Sequence, residues 1–268
     1  WKNHSAFFNS KGTIPFDLFA AAFYLITRYE EWLPHQTDEY GRYRPEQSLA
    51  YQNDFVQFPL VNYWVVQLAK ELNFEITHHY TFKPSYDIDI AYSYLHHNSI
   101  RNSLSYFKQL VNLKFNQLVE QLQVLAGAQK DPYDVYDWLH LLHESLQLKP
   151  LYFFLVASKR DSLHKNISPQ SAAMQALIIS HAKKYSVGIH PSVVQKNSIP
   201  IKGTREQVLG KEIKLLAEII QQPVKHSRQH YIHINFPETY ETFLHKGIEA
   251  DYSMGYPQIT GFRASYTK

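Results

Sequence analysis

The sequence predicts an α/β protein with a parallel sheet and helices packed outside it. Three observations carry that expectation. From residue 76 onward, short β-prone segments alternate with helical ones, and repeated βα units build parallel sheets. Residues 151–156 are an unbroken apolar run, Leu-Tyr-Phe-Phe-Leu-Val, the pattern of a strand buried on both faces. Polar residues then fall at the expected C-terminal ends of four strands: Asp87 with Asp89, His190, Arg228 with His230, and Asp251. In parallel sheets, open or closed into a barrel, sites form at those ends.

The elements follow in order. Residues 16–33 place Phe16, Phe19, Ala20, Phe23, Tyr24 and Thr27 at helical spacing, with Pro15 suited to a helix start and Pro34 ending it. Residues 35–58 are polar and turn-rich and read as loop. Residues 60–72 repeat the helical spacing through Leu60, Val61, Trp64, Val65, Leu68 and Leu72. Residues 1–75 therefore read as a helical N-terminal region, a lead-in to the rest. A strand is expected over 76–90, with Thr77, Tyr80, Phe82 and Tyr86. Residues 99–127 form a long amphipathic region in which Leu104, Phe107, Leu110, Val111, Phe115, Leu118, Leu122 and Leu125 share a face. Gln and Asn dominate the opposite face, so a packed helix or helical hairpin is expected there. Asp131 and Pro132 open a helix over 132–147. Strand 151–156, helix 168–184, strand 186–190, helix 204–221, strand 224–228, helix 237–246 and strands 247–251 and 259–264 complete the series.

Composition narrows the function classes. Hydrophobic residues are 44% and charged residues 19% of 268, the balance of a folded globular chain. A net charge of +3 is too small to argue for nucleic acid. The absence of cysteine excludes disulfides and thiolate metal sites. No apolar stretch approaches the ~20 residues of a membrane span. No signal-peptide pattern is visible, so a cytoplasmic or unassigned location is expected. The start at Trp1 and the end at Thr267-Lys268 predict a piece of a longer protein.

The strand-end residues suggest a chemistry. Asp87 and Asp89 are two apart on a strand and are expected on one side, where two like charges repel unless a cation or a shared proton relieves them. In Gly188-Ile189-His190-Pro191-Ser192, proline holds His190 extended and glycine permits close backbone approach. Asp89 with His190 makes the start of an oxygen and nitrogen metal site, which zinc and other transition metals accept. His230 is a candidate third ligand or a general acid. Arg228 is expected to form a bidentate pair with Asp87 and hold it as an ionised base, or else to pair with Asp251. Asp251 is expected to position Arg228 or to bind substrate hydroxyls with Tyr252 and Tyr256. His140 and His143 read as ordinary helix residues.

With these residues the chain resembles the polysaccharide deacetylases of NodB-homology type. Ser85-Tyr86-Asp87-Ile88-Asp89 is similar to their Thr-Phe-Asp-Asp motif with one residue inserted, and Gly188-Ile189-His190-Pro191 to the start of their His-x-x-x-His motif. Ser227-Arg228-Gln229-His230 resembles their arginine motif and Asp251-Tyr252-Ser253 their aspartate motif. The likeness spans residues 79–268. Pro15-Phe16-Asp17, Arg28-Tyr29-Glu30-Glu31 and Ser48-Leu49-Ala50-Tyr51 resemble a bacterial subgroup with an extra N-terminal region. Val194 stands where the motif's second histidine would be.

The resemblance implies a distorted (β/α) barrel over 76–268 with a helical N-terminal extension. It implies a hydrolase that removes acetyl groups from a polysaccharide or glycan with a divalent metal, most readily zinc. Asp89, His190 and His230 would hold the metal. Asp87, Arg228 and Asp251 would serve catalysis, and Ser192, Tyr252 and Tyr256 would bind substrate. A carbohydrate-binding module that kept the fold and lost the chemistry is the second reading. A glycosyltransferase using Asp-x-Asp is a third, in which His190 and Arg228 have no place.

Overall fold

Parallel strands run across the centre of the molecule in chain order, one to five. The computed structural model describes residues 7–77, 80–193 and 204–267. The N-terminal region contributes α1 (Leu18–Ile26), α2 (Leu49–Gln52) and α3 (Leu60–Glu71). The first strand, β1 (Ser85–Ile88), is followed by α4 (Ser99–Val111), α5 (Phe115–Leu125) and α6 (Tyr136–Ser145). Then come β2 (Leu151–Phe154), α7 (Ala172–Ala182), β3 (Ser186–Ile189), α8 (Thr204–Ile220), β4 (His226–Ser227), α9 (Glu238–His245) and β5 (Ala250–Asp251). The α/β expectation with a parallel sheet holds; among the described residues β1 and β5 are the two edges of that sheet.

β2 is the centre of the core. Leu151, Tyr152, Phe153 and Phe154 are all buried, as the apolar run requires. Tyr152 and Phe154 pack with Met174, Ile178, Ile189, Leu216 and Phe243 on the helix-covered face. Each such side chain contributes roughly 1.5–3 kcal/mol by leaving water. A second core belongs to the N-terminal region, where Phe16, Leu18, Leu25, Phe55, Leu60 and Trp64 cluster.

The helix expected from Asp131 starts at Tyr136, because the Asp131 carboxylate accepts from Ser93 N, Tyr94 N and Leu95 N instead. The short helix α2 lies inside the expected loop 35–58. Four further expectations change. The first helix ends at Ile26, not Leu33, because Arg28 takes a left-handed φ of 53° and starts a separate turn at Tyr29–Glu31. Its N-cap is Asp17, whose carboxylate accepts from Ala20 N at 2.9 Å. The strand over 76–90 shrinks to β1: Tyr80 and Phe82 are exposed, and His78 and His79 lie outside the described residues. An edge strand extends only as far as its one neighbour pairs, here Ser85 to Ile88 against β2. Residues 259–264 form no strand. Their backbone bonds go to the N-terminal region instead, with Phe262 N donating to Val56 O at 2.7 Å and Val61 N to Ser265 O at 3.0 Å.

The fourth change concerns α4 and α5. They form the expected hairpin, but its apolar stripe faces outward: Leu104, Phe107 and Val111 are 65%, 64% and 63% exposed. The buried side chains are Gln109, Gln121 and Val124. Polar contacts accompany this orientation. Gln121 Nε2 donates to Asn102 O at 3.2 Å, and Tyr94 Oη, in the loop before α4, donates to Glu120 at 2.9 Å.

Candidate metal centre

The strand ladder delivers the site residues. His190 N donates to Phe154 O and Arg228 N to Ile189 O, each at 3.0 Å, so both backbones continue the sheet one residue past their strands. Gly188 makes this possible. A Cβ there would stand 2.7 Å from His226 O and 2.8 Å from the Phe153 ring. The Asp89 end of β1 is stapled to β2 by Asn166, whose Nδ2 donates to Ile88 O at 2.9 Å and Leu155 O at 3.1 Å.

Three donor atoms converge at these ends. His190 Nε2 lies 3.0 Å from Asp89 Oδ1, His230 Nδ1 lies 3.3 Å from it, and the two imidazole nitrogens are 2.9 Å apart. Both histidines are buried, and Asp89 is half-buried. Asp89 Oδ1, though inaccessible, accepts no hydrogen bond of proper alignment. The Nε2 edge of His230 faces Leu163 O at 3.1 Å. A proton on Nε2 satisfies that carbonyl and leaves the Nδ1 lone pair aimed at Asp89 and His190. Lone pairs this close repel, so a proton or a cation belongs among them.

The donor set fits a divalent ion. Donors about 2.0–2.2 Å from one ion, at tetrahedral or octahedral angles, stand about 2.8–3.6 Å from each other. The three separations above fall in that range. One carboxylate oxygen and two imidazole nitrogens match zinc and similar ions. Burial pushes the Asp89 carboxyl up, but the His190 and His230 imidazoles against it outweigh burial and hold it well below the usual range. Asp89 is thus a carboxylate at neutral pH.

Asp87 flanks the same ring from the other side, with Oδ1 3.9 Å from His190 Nδ1. Arg228 Nη1 donates to Asp87 Oδ1 at 3.1 Å. The pair is not bidentate, because Arg228 spreads over three partners: Nη2 donates to Ser85 Oγ at 2.6 Å and Nε to Tyr252 O at 3.2 Å. Its guanidinium also lies 4.7 Å from the centre of the Phe153 ring.

Asp251 makes no bond to Arg228. It accepts from Ser253 N at 3.0 Å and Ser253 Oγ at 2.7 Å, and Ser253 Oγ accepts from Gln229 N at 2.7 Å. It therefore braces the turn between Arg228 and His230. Burial pushes its carboxyl up to about 6. Tyr252 stands half-exposed on the rim, its ring beside Phe153. Tyr256 is turned inside, accepting from Arg28 Nη2 at 3.1 Å. Ser192 is engaged through both N and Oγ by the buried Glu212. Val194 lies outside the described residues. His143 and His140 bond Tyr86 and Tyr185, as helix residues packed on the sheet.

Sequence reading missed His164, Asn166 and Glu212. His164, held by Asp161 at 2.9 Å, lies with its ring 5.8 Å from that of His230 and accepts from Val193 N at 3.0 Å. The signal for His164 and Asn166 was available: both follow the C-terminal end of β2, the fifth equivalent position. Glu212 lies in mid-helix, where nothing in the sequence marks it.

Three comparisons bear on the chain. The profile of a family of unknown function (DUF7033) matches residues 1–77. A search of curated proteins finds no match. A solved structure of IcaB from Ammonifex degensii is similar, at 14% identity and a TM-score of 0.34, over 46% of this chain and 55% of that one. The chain thus spans about half the length of that protein. Among the described residues, no helix is long and apolar enough to cross a membrane.

Proposed function

We propose that this protein is a metal-dependent hydrolase that removes acetyl groups from a polysaccharide or other glycan. The observation that carries the reading is the convergence of Asp89, His190 and His230 on one point, with the Asp87–Arg228 ion pair at its edge. The four sequence motifs around these residues support the same reaction class.

In this reading Asp89, His190 and His230 hold a divalent ion, zinc by the chemistry of the donors. A bound ion would supply Lewis acidity, toward both a water and the acyl oxygen. Asp87 accepts the proton of the attacking water, at the oxygen Arg228 leaves free. Arg228 orients that carboxylate through its bond to Oδ1, and Phe153 fixes Arg228 from below. Asp251, through Ser253 and Gln229, keeps Arg228 and His230 at the same end of the sheet. Tyr252 offers a ring to the glycan at the rim. In this reading the parallel sheet belongs to a distorted (β/α) barrel over 76–268, with residues 1–75 as an N-terminal region packed on it.

Elemental analysis of the purified protein tests the reading. About one zinc or similar ion per chain is expected, and none in Asp89→Ala or His190→Ala. Acetate release from acetylated chito-oligosaccharides should then disappear in Asp87→Asn. A protein that takes up no zinc, cobalt or nickel sinks the hydrolase and leaves a carbohydrate-binding module without chemistry.

A further inference from the structure

The N-terminal region reaches Tyr231, the residue beside His230, through the turn between Thr37 and Tyr43, which pair as an antiparallel bridge. Asp38 organises that turn. Its carboxylate accepts from Tyr40 N and Arg42 N at 2.9 Å, from Arg42 Nε at 2.7 Å and from Gln258 Nε2 at 2.9 Å. Arg42, only 9% exposed, extends Nη1 to the carbonyl of Tyr231 at 3.2 Å. The Tyr40 ring lies nearly parallel to that of Tyr231, at 5.4 Å and 14°, and the Arg42 guanidinium is 4.7 Å from the Tyr40 ring centre.

Tyr231 is the residue after His230, and their rings are 4.4 Å apart. Its backbone is strained. Tyr231 and Ile232 both take left-handed φ, 57° and 54°. For non-glycine residues, and above all a β-branched one, each such conformation costs on the order of 1–3 kcal/mol and persists only where its surroundings hold it. Bonds inside the turn help: Ile232 N donates to Gln229 O at 2.9 Å. The remaining hold on Tyr231 comes from across the chain, on its carbonyl from Arg42 and on its ring from Tyr40.

We infer that Arg42 and Tyr40 are positioning residues for His230: the N-terminal turn clamps Tyr231 in its left-handed conformation and so keeps the His230 imidazole in the donor triangle. The inference gives residues 1–77 a part in building the site, and its metal-binding consequence rests on the proposed function.

The test uses the whole chain with Arg42→Ala, Tyr40→Ala and Tyr40→Phe. The last keeps the stacked ring, and Tyr40 is exposed enough that its variants should fold if Arg42→Ala does not. Two quantities are read: the His230 imidazole resonances of the metal-free protein by NMR, and zinc affinity by chelator competition. Arg42→Ala and Tyr40→Ala should shift the His230 resonances, leave those of His143 in place, and weaken zinc about 10- to 100-fold, while Tyr40→Phe changes neither. Unshifted His230 resonances in the folded alanine variants overturn the clamp, even if the wild type binds zinc tightly. Shifted resonances in a protein that binds no zinc support the clamp and sink the metal reading instead.

Discussion

Two buried polar clusters in this molecule are built on opposite principles. In one, Arg28, Arg263, Glu30 and Glu31 balance two positive charges with two negative ones. Glu31 receives Arg28 Nε at 2.7 Å and Arg263 Nε at 2.9 Å, and Arg263 reaches its second oxygen as well. Burial pushes the Glu31 carboxyl up, and the two guanidiniums outweigh it and hold it below the usual range. This cluster balances its own charge and fastens the N-terminal region to the segment carrying Tyr256 and Arg263. In the other, Asp89, His190 and His230 turn acceptors toward one another with too few donors among them. A cluster of matched charges needs nothing from outside; a cluster of converging lone pairs does. Burial of polar groups alone therefore does not mark a functional site, whereas the sign of what is left unmatched does.

Glu31→Ala should produce the largest effect. It strands the buried Arg263 and leaves Arg28 with Glu30 alone, at a cost of about 3–5 kcal/mol, read as a lower midpoint in urea unfolding. Zinc affinity of the folded fraction should stay unchanged; a loss of metal would merge the two clusters into one functional unit and break the contrast. Asp89→Asn should do the reverse. Zinc affinity should drop at least about a hundredfold, equivalent to about 2.7 kcal/mol, with a much smaller change in unfolding of the metal-free protein.

Gly188→Ala sharpens the contrast from the packing side. The added methyl meets His226 O and the Phe153 ring, so Phe153 and the Arg228 above it must shift. A loss of about 1–3 kcal/mol is expected, together with weaker activity on acetylated substrate. The smallest effect concerns Asp251. Its folded pKa of about 6 lies above the ordinary 3.8, so the folded state favours the protonated carboxyl. Its stabilising contribution is present below pH 4 and is lost as pH rises through about 6. Asp251→Asn should flatten the stability profile across that window; an unaltered profile would place the titration elsewhere.

The sequence determined much of this protein by itself. The apolar run 151–156 has the pattern of a strand covered on both sides, and the repeated βα pattern around it implied a parallel sheet. Those two facts bring the ends of β1, β3, β4 and β5 together, which is why Asp87, Asp89, His190, Arg228, His230 and Asp251 could be picked out one strand at a time. Periodicity also marked the α4–α5 hairpin, but not its orientation. An apolar stripe is a local property, and which face turns inward is a matter of tertiary packing: here the inward side carries Gln109, Gln121 and Val124.

The tertiary structure alone decided the finer roles. Arg228 divides among Asp87, Ser85 and Tyr252 because three strand ends meet there. Ser192 and Tyr256 are committed to Glu212 and Arg28, partners 20 and 228 residues away. The hold of Arg42 on Tyr231 spans 189 residues. Spacing in a sequence reports what one strand or helix presents on one side. It carries no record of which distant donor reaches an acceptor first, and that competition, settled only when the chain closes on itself, separates a site residue from a structural one.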